Sequence, residues 1–117
     1  EYIEVWGDGQ QTRSFLYIDD CIEAILRFMR QKEFIGPVNI GSEEMVTINQ
    51  LAKIALEIAG KKERSYIKNV EGPLGVRGRN SDNKLYKEKM GWEPTQPLKV
   101  GMKKTFEWIN KQVIENH

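Results

Sequence analysis

The chain has 117 residues, 39% of them hydrophobic, which is enough for one domain with a modest core. Eighteen Lys and Arg residues against seventeen Asp and Glu residues leave a net charge of +1, so we expect no nucleic acid and no anionic membrane as partner. No apolar run reaches the roughly 18 to 20 residues that span a bilayer, and no leader peptide is recognisable, so we expect a soluble, cytoplasmic protein.

The first third of the chain is predicted to hold strands and one helix. Alternating residues at Tyr2 to Trp6 predict a strand, and Gly7-Asp8-Gly9 predicts a hairpin turn. Strand character resumes from Phe15 to Ile18, after which the pair Asp19-Asp20 can cap a helix that ends at residues 31 to 34. Because the sequence opens inside a strand pattern without a methionine, we interpret it as a fragment cut within a domain.

The middle of the chain is predicted to hold two short strands around a well-marked helix. Val38 to Gly41 has strand character. Thr47 and Gln50 form a capping-box pair at the start of the following helix, and Gly60 suits its end. A second short strand is predicted over residues 65 to 70.

The last part of the chain is predicted to begin with a loop. Residues 71 to 80 are rich in Gly, Pro and Arg and lack an apolar period. Asp82 can cap a short helix that Gly91 closes, and an apolar stripe from Leu98 to Val113 predicts a final helix. These elements together predict an α/β fold, more closely an α+β fragment with short strands and four helices.

Two of these loops place arginine beside glycine, which suits an anion site. Arg13 follows Gly7-Asp8-Gly9, and Arg77 and Arg79 flank Gly78. A guanidinium is a planar fork that matches two phosphate oxygens, and glycines let backbone N–H groups approach the same anion. A diphosphate needs more than one such cation, and separate loops could supply them. For either loop alone, a turn or a solvated arginine is the simpler interpretation.

Other reactive residues indicate little chemistry. Cys21 and His117 are the only residues of their kinds, which excludes an internal disulfide, a metal site built from Cys and His, and a histidine-based triad. We interpret Cys21 as a small buried hydrophobe. The pairs Asp19-Asp20 and Glu43-Glu44 are interpreted as helix caps or solvent-facing acids, and we predict no catalytic residue in the chain.

Taken in order, these segments resemble the carboxy-terminal, substrate-binding region of the extended short-chain dehydrogenase/reductases, the NAD-dependent epimerase/dehydratase family that acts on nucleotide sugars. The resemblance is carried by Gly-Asp-Gly-x-Gln-x-Arg at residues 7–13, Ile-Asp-Asp at 18–20, Asn-Ile-Gly at 39–41, Arg-x-x-Asp at 79–82 and Gly-Trp-Glu-Pro at 91–94. Residues 6–15 and 72–83 narrow the resemblance to the branch that epimerises the sugar of GDP-mannose at C3 and C5.

The resemblance implies roles for five residues. Arg13 would contact the nucleotide diphosphate, and Arg79 would add a second cation. Asp82 would hydrogen-bond the nucleotide ribose or cap the following helix, and Gln11 and Arg77 complete the expected substrate contacts. Enzymes of this family use NAD+ to oxidise the sugar transiently at C4, which acidifies the neighbouring C–H bonds before the hydride returns.

Two signatures of the family do not occur in this sequence, namely the glycine-rich dinucleotide fingerprint and the Tyr-x-x-x-Lys pair. We therefore expect residues 1–117 to be a substrate-binding domain without its amino-terminal NAD-binding Rossmann domain. Alone, it would be inactive and bind no cofactor. An apolar face of one helix, formed by Ile22, Ile25, Phe28 and Met29, would then be open and favour a homodimer or other self-association.

Two alternatives remain open. One is another NAD-dependent nucleotide-sugar epimerase, dehydratase or decarboxylase of the same family. The other is a non-catalytic module that kept the fold and binds an anion or a protein.

Overall fold

A computed structural model describes the whole chain, residues 1–117, which forms four strands and four helices. In chain order these are β1 (Tyr2–Trp6), β2 (Thr12–Ser14), α1 (Ile18–Arg30), β3 (Met45–Thr47), α2 (Ile48–Ile58), β4 (Tyr66–Val70), α3 (Lys84–Met90) and α4 (Leu98–Glu115). The predicted mixed α/β fold with four helices and short strands is confirmed. None of the helices is both long and apolar enough to cross a bilayer.

The strands pair across long stretches of sequence and form two separate two-stranded sheets. β1 runs parallel to β4, with Tyr2 opposite Tyr66, whereas β2 runs antiparallel to β3. The prediction of a hairpin at Gly7-Asp8-Gly9 is therefore wrong, because this turn leads from one sheet to the other. Gly7 and Gly9 have φ angles of +75° and +70°, a conformation that glycine adopts without strain.

Two predicted strands do not form. Residues 15 to 17 have no ladder partner and lead directly into α1, and residues 38 to 41 are also irregular. No strand lies beside the second segment, so its backbone bonds to a side chain instead. The Gly41 N–H donates to Asn83 Oδ1 at 3.1 Å, and the Gly41 carbonyl accepts from Asn83 Nδ2 at 2.6 Å.

The predicted helix ends are confirmed where the signal is local. Thr47 Oγ1 accepts from the Gln50 N–H at 3.0 Å, and Gln50 Oε1 accepts from the Thr47 N–H at 2.8 Å, which completes the capping box of α2. Gly60 follows α2 with a φ angle of +66°, and Gly91 ends α3 with a φ angle of +61°.

The start of α1 differs from the prediction. Its N-cap is Tyr17, which makes no side-chain cap bond, while Asp19 and Asp20 lie within the first turn. Asp20 is buried and joins α1 to the segment before α4. Its carboxylate accepts from the Thr95 N–H at 2.9 Å, from Thr95 Oγ1 at 3.0 Å and from the Gln96 N–H at 2.8 Å. Asp20 is thus a tertiary contact and not a helix cap.

The core is small, and much apolar surface stays exposed. Its buried hydrophobic members are Val5, Ala24, Ala52, Leu56, Tyr86 and Leu98. The chain exposes 8560 Å², whereas a compact monomer of this mass exposes about 6,600 Å². Its radius of gyration is 17.0 Å, against about 13 Å for a compact domain of this length. Ile22, Ile25 and Met29 of α1 all lie in solvent.

Candidate functional site

The two arginine-bearing segments lie side by side in the folded chain. We call residues 71–80 the arginine loop. The Thr12 N–H donates to the Arg77 carbonyl at 2.9 Å, and Thr12 forms an isolated parallel bridge with Gly78. A Cβ atom added to Gly75 would lie 3.5 Å from Arg13 Nη2, so the Arg13 guanidinium lies close to the backbone of the arginine loop. The fold therefore brings the two segments to one face.

Arg13 carries a positive charge that no acid in this chain compensates. It lies on β2 opposite Val46 and is half-buried. Its Nη1 donates to the Thr12 carbonyl at 2.6 Å, and no Asp or Glu forms an ion pair with it. Arg79 is exposed and likewise has no ion-pair partner. Two such guanidiniums favour the binding of an anion.

Arg77 points toward a carboxylate. Its Nη1 lies 3.2 Å and 3.1 Å from the two carboxylate oxygens of Asp8, and its Nη2 lies 3.1 Å from Oδ2. Asp8 Oδ1 also accepts from the Gln10 N–H at 2.8 Å. The hydrogen bond from Gln10 and the Arg77 guanidinium hold the pKa of Asp8 below its usual range. The charge of Arg77 is therefore already compensated within the chain.

Gln11 is buried beneath the Gly7-Asp8-Gly9 turn. Its Nε2 donates to the Trp6 carbonyl at 3.2 Å, while its Oε1 has no hydrogen-bond partner in the chain. The backbone carbonyl of Gln11 accepts from the Ile48 N–H at 3.1 Å. Gln11 thus spans the turn and connects β2 to the start of α2, which keeps Arg13 in register.

Asp82 lies at the start of α3. Its Oδ1 accepts from the Lys84 N–H at 3.0 Å, but the N-cap residue of α3 is Asn83, so the prediction that Asp82 caps this helix is wrong by one residue. No other hydrogen bond involves the Asp82 carboxylate. Asp82 also lines a cavity of about 500 Å³, together with Pro37, Val38, Asn39, Lys84, Leu85 and Glu88. One carboxylate oxygen therefore remains available to a donor.

Two residues of this region had not been singled out from the sequence. One is Asp8. The other is Asn83, which is buried and connects the Arg79–Asp82 segment to residues 41–43. Its Oδ1 accepts from Ser81 Oγ at 2.6 Å, and its backbone N–H donates to Glu43 Oε1 at 3.1 Å. The preference of asparagine for helix N-caps is the one local signal that could have indicated Asn83.

The chemistry of this face suits an anion. No cluster of three or more His, Cys, Asp or Glu side chains is arranged to hold a metal ion. Arg13, Arg79 and the glycine backbone of the arginine loop instead provide hydrogen-bond donors and positive charge.

Comparisons with known proteins show which enzymes the chain is similar to. The model of the NAD dependent epimerase/dehydratase family matches residues 1–41. The chain is 52% identical over 110 residues, 94% of its length, to the GDP-mannose 3,5-epimerase of Arabidopsis thaliana. The UDP-glucose 4-epimerase of Thermotoga maritima, crystallised with UDP-glucose, is 34% identical with a TM-score of 0.84 over 97% of this chain. The UDP-glucuronic acid 4-epimerase of Bacillus cereus, in complex with UDP-glucuronic acid and NAD, is 26% identical with a TM-score of 0.84 over 96% of this chain.

The predicted resemblance to the NAD dependent epimerase/dehydratase family is thereby confirmed. Within that family it is similar over nearly its whole length to GDP-mannose 3,5-epimerase. The chain spans 28% of the length of that relative. It spans 36% of each of the two crystallised epimerases.

Proposed function

We propose that these 117 residues are the substrate-binding part of an NAD-dependent nucleotide-sugar epimerase that acts on GDP-mannose. The observation that carries the proposal is Arg13. Its charge has no acidic partner, and its guanidinium lies against the glycine backbone of the arginine loop. The 52% identity to GDP-mannose 3,5-epimerase supports the choice of substrate.

The phosphate-binding role follows from charge and geometry. A nucleoside diphosphate carries at least two negative charges, which need compensation as water leaves. In this proposal Arg13 supplies one cation and Arg79 the second, and each charge-assisted hydrogen bond contributes about 1.5 to 3 kcal/mol. Asp82 would accept a hydrogen bond from the ribose through the oxygen that does not accept from the Lys84 N–H. Gln11 and Arg77 would contribute through the turn and the loop that carry the two cations.

The proposed reaction is epimerisation of the sugar at C3 and C5. Bound NAD+ would supply the transient oxidation at C4, and the resulting ketone acidifies the neighbouring C–H bonds. This chain contains neither the glycine-rich fingerprint nor the Tyr-x-x-x-Lys pair. The cofactor and the acid–base residues would therefore belong to a cofactor-binding domain outside these residues. Alone, the chain would bind nucleotide sugar without catalysing its conversion, and we place the whole enzyme in the cytoplasm.

The exposed apolar face of α1 would pack against that cofactor-binding domain. Ile18, Ile22, Ile25 and Met29 are between 48% and 71% exposed. The chain exposes about 2,000 Å² more than a compact monomer of its mass, which is more than the roughly 600 to 1,500 Å² of a typical inter-domain interface. For the isolated 117-residue chain we expect self-association through this face, which light scattering would detect as a mass above 13.6 kDa. A monomer at high concentration would contradict this expectation.

Deuterium exchange tests the proposed reaction. The full-length protein, incubated with GDP-mannose and NAD+ in D2O, should incorporate deuterium at C3 and C5 and release an epimerised GDP-sugar, as detected by NMR. The 117-residue chain alone is the control and should catalyse no incorporation. Exchange with UDP-glucose but not with GDP-mannose would contradict the assigned substrate. Nucleotide binding without exchange on either sugar would contradict the assigned reaction.

A further inference from the structure

The arginine loop has few contacts that fix its position. All of its residues except Gly72 are exposed, and it has no regular secondary structure beyond the bridge at Gly78. Near its start, Gly72 lies against the Trp6 side chain, and the Leu74 side chain lies against Gly7. The later part of the loop faces Arg13. Its position therefore depends on a small number of interactions other than the contacts of Gly72 and Leu74.

One of those interactions joins side chains that are 69 positions apart. The pair of Asp8 and Arg77 is the only ion pair that connects the arginine loop to the rest of the chain. Both side chains are more than half exposed, so the pair adds little to the stability of the fold. Its geometry is nevertheless specific, because a fork of two nitrogens on two oxygens sets both the direction and the rotation of the guanidinium.

The Asp8 carboxylate is itself held in place. Asp8 Oδ1 accepts the Gln10 N–H at 2.8 Å, which orients the carboxylate within the turn. Arg77 is also held through its backbone, because its carbonyl accepts a hydrogen bond from the Thr12 N–H at 2.9 Å. Thr12 directly precedes Arg13 in the chain. A ring of contacts therefore runs from the turn through β2 to the arginine loop and back to Asp8. This ring keeps the loop backbone beside the Arg13 guanidinium.

Arg77 is poorly placed to bind phosphate directly. Both terminal nitrogens of its guanidinium already donate to Asp8. If Arg77 turned toward a diphosphate, it would leave the Asp8 carboxylate unpaired near an incoming anion, which is an unfavourable arrangement of like charges.

We propose that Asp8 and Arg77 are positioning residues that hold the arginine loop against β2, so that Arg77 supports nucleotide-diphosphate binding through the loop and not as a phosphate ligand. This inference rests on the proposed function. It adds Asp8, which contributes no cation, to the residues on which nucleotide affinity depends.

A double-mutant cycle separates positioning from direct binding. Asp8→Asn is suited to this test, because an asparagine oxygen can still accept the Gln10 N–H while the negative charge opposite Arg77 is lost. In the full-length protein, Asp8→Asn and Arg77→Ala should each raise the Kd for GDP roughly three- to tenfold. The double variant should be no weaker than the weaker single variant. The proposal would be overturned if Asp8→Asn bound GDP as tightly as the wild type or more tightly, and if Arg77→Ala weakened GDP binding equally in the wild type and in Asp8→Asn.

Amide hydrogen exchange without ligand supplies a second, independent measurement. Both single variants should exchange faster at the Thr12 amide, whose N–H donates to the Arg77 carbonyl of the loop, whereas Arg13→Ala should leave this protection unchanged. Unaltered rates in Asp8→Asn and Arg77→Ala would overturn the positioning role. Arg13→Ala also tests the proposed function separately. If it leaves the GDP affinity unchanged, the diphosphate site is wrong even where the exchange data support the loop contact.

Discussion

Asp20→Ala is expected to lower the free energy of unfolding of this chain by about 3 kcal/mol. The Asp20 carboxylate is 4% exposed and accepts three hydrogen bonds of 2.8 to 3.0 Å from Thr95 and Gln96. A hydrogen bond to a charged group contributes about 1.5 to 3 kcal/mol. The value of about 3 kcal/mol takes the lower figure, about 1.5 kcal/mol, for each of the two backbone N–H donors. The lower figure is used because Thr95 is exposed and water can replace part of the lost interaction.

Urea denaturation followed by circular dichroism measures this loss, with all variants compared at one protein concentration because self-association raises apparent stability. Asp19→Ala is the matched control. Asp19 lies in the same first turn of α1, but it is exposed and makes no hydrogen bond, so its loss should cost less than about 0.5 kcal/mol. Asp20→Asn keeps an acceptor oxygen and should fall between the two. Equal small losses for Asp19→Ala and Asp20→Ala would refute the tertiary role of Asp20.

Four further variants test single features of the fold by the same measurement. Tyr86→Phe removes a buried 2.7 Å hydrogen bond to a carbonyl of α1 and should cost about 1 kcal/mol at neutral pH. Burial raises the pKa of Tyr86, so the unfolded chain loses this proton first and wild-type stability should fall above about pH 10. The phenylalanine variant should lack that contribution, and an identical alkaline profile would contradict it. Thr47→Ala breaks the capping box of α2 and should cost about 1 kcal/mol, so no loss would contradict the cap. Gly9→Ala should cost more than Gly60→Ala, because both glycines have positive φ but only at Gly9 would the new Cβ overlap the Asn49 amide.

Features that depend on neighbouring residues could be predicted from the sequence. The capping box at Thr47 and Gln50 joins groups within one helical turn, and Gly60 and Gly91 end helices through their own backbone angles. Such signals do not depend on the rest of the fold, which is why they were confirmed. The family resemblance was also readable, because it rests on short motifs in a fixed order.

Strand pairing could not be predicted in the same way. β1 pairs with β4 in parallel across most of the chain, and no local pattern around Gly7-Asp8-Gly9 distinguishes that arrangement from a hairpin. Residues 38 to 41 have strand-like composition, yet Asn83 takes the hydrogen bonds of Gly41. Whether a segment forms a strand depends on which backbone lies beside it, and that is decided by tertiary packing.

The arginines of the candidate site could be predicted from the sequence, but the contacts that they make could not. Arg77 and Arg79 could be identified because they flank a glycine, and Arg13 because it follows the Gly7-Asp8-Gly9 turn in a polar segment. Their different surroundings could not be predicted. The partner of Arg77 is Asp8, which is 69 positions away, whereas Arg13 lies near Gly75 and has no acidic partner. Compensated and uncompensated arginines have the same appearance in a sequence, and only the fold separates them.

Calorimetric titration of GDP into the full-length protein tests the central claim most directly. Arg13→Ala removes a charge-assisted interaction and should weaken binding roughly ten- to hundredfold. Arg13→Lys should recover only part of the affinity, because a point charge does not reproduce the planar fork of the guanidinium. Equal GDP affinities of the wild type and Arg13→Ala would contradict the assignment of this site to the nucleotide diphosphate.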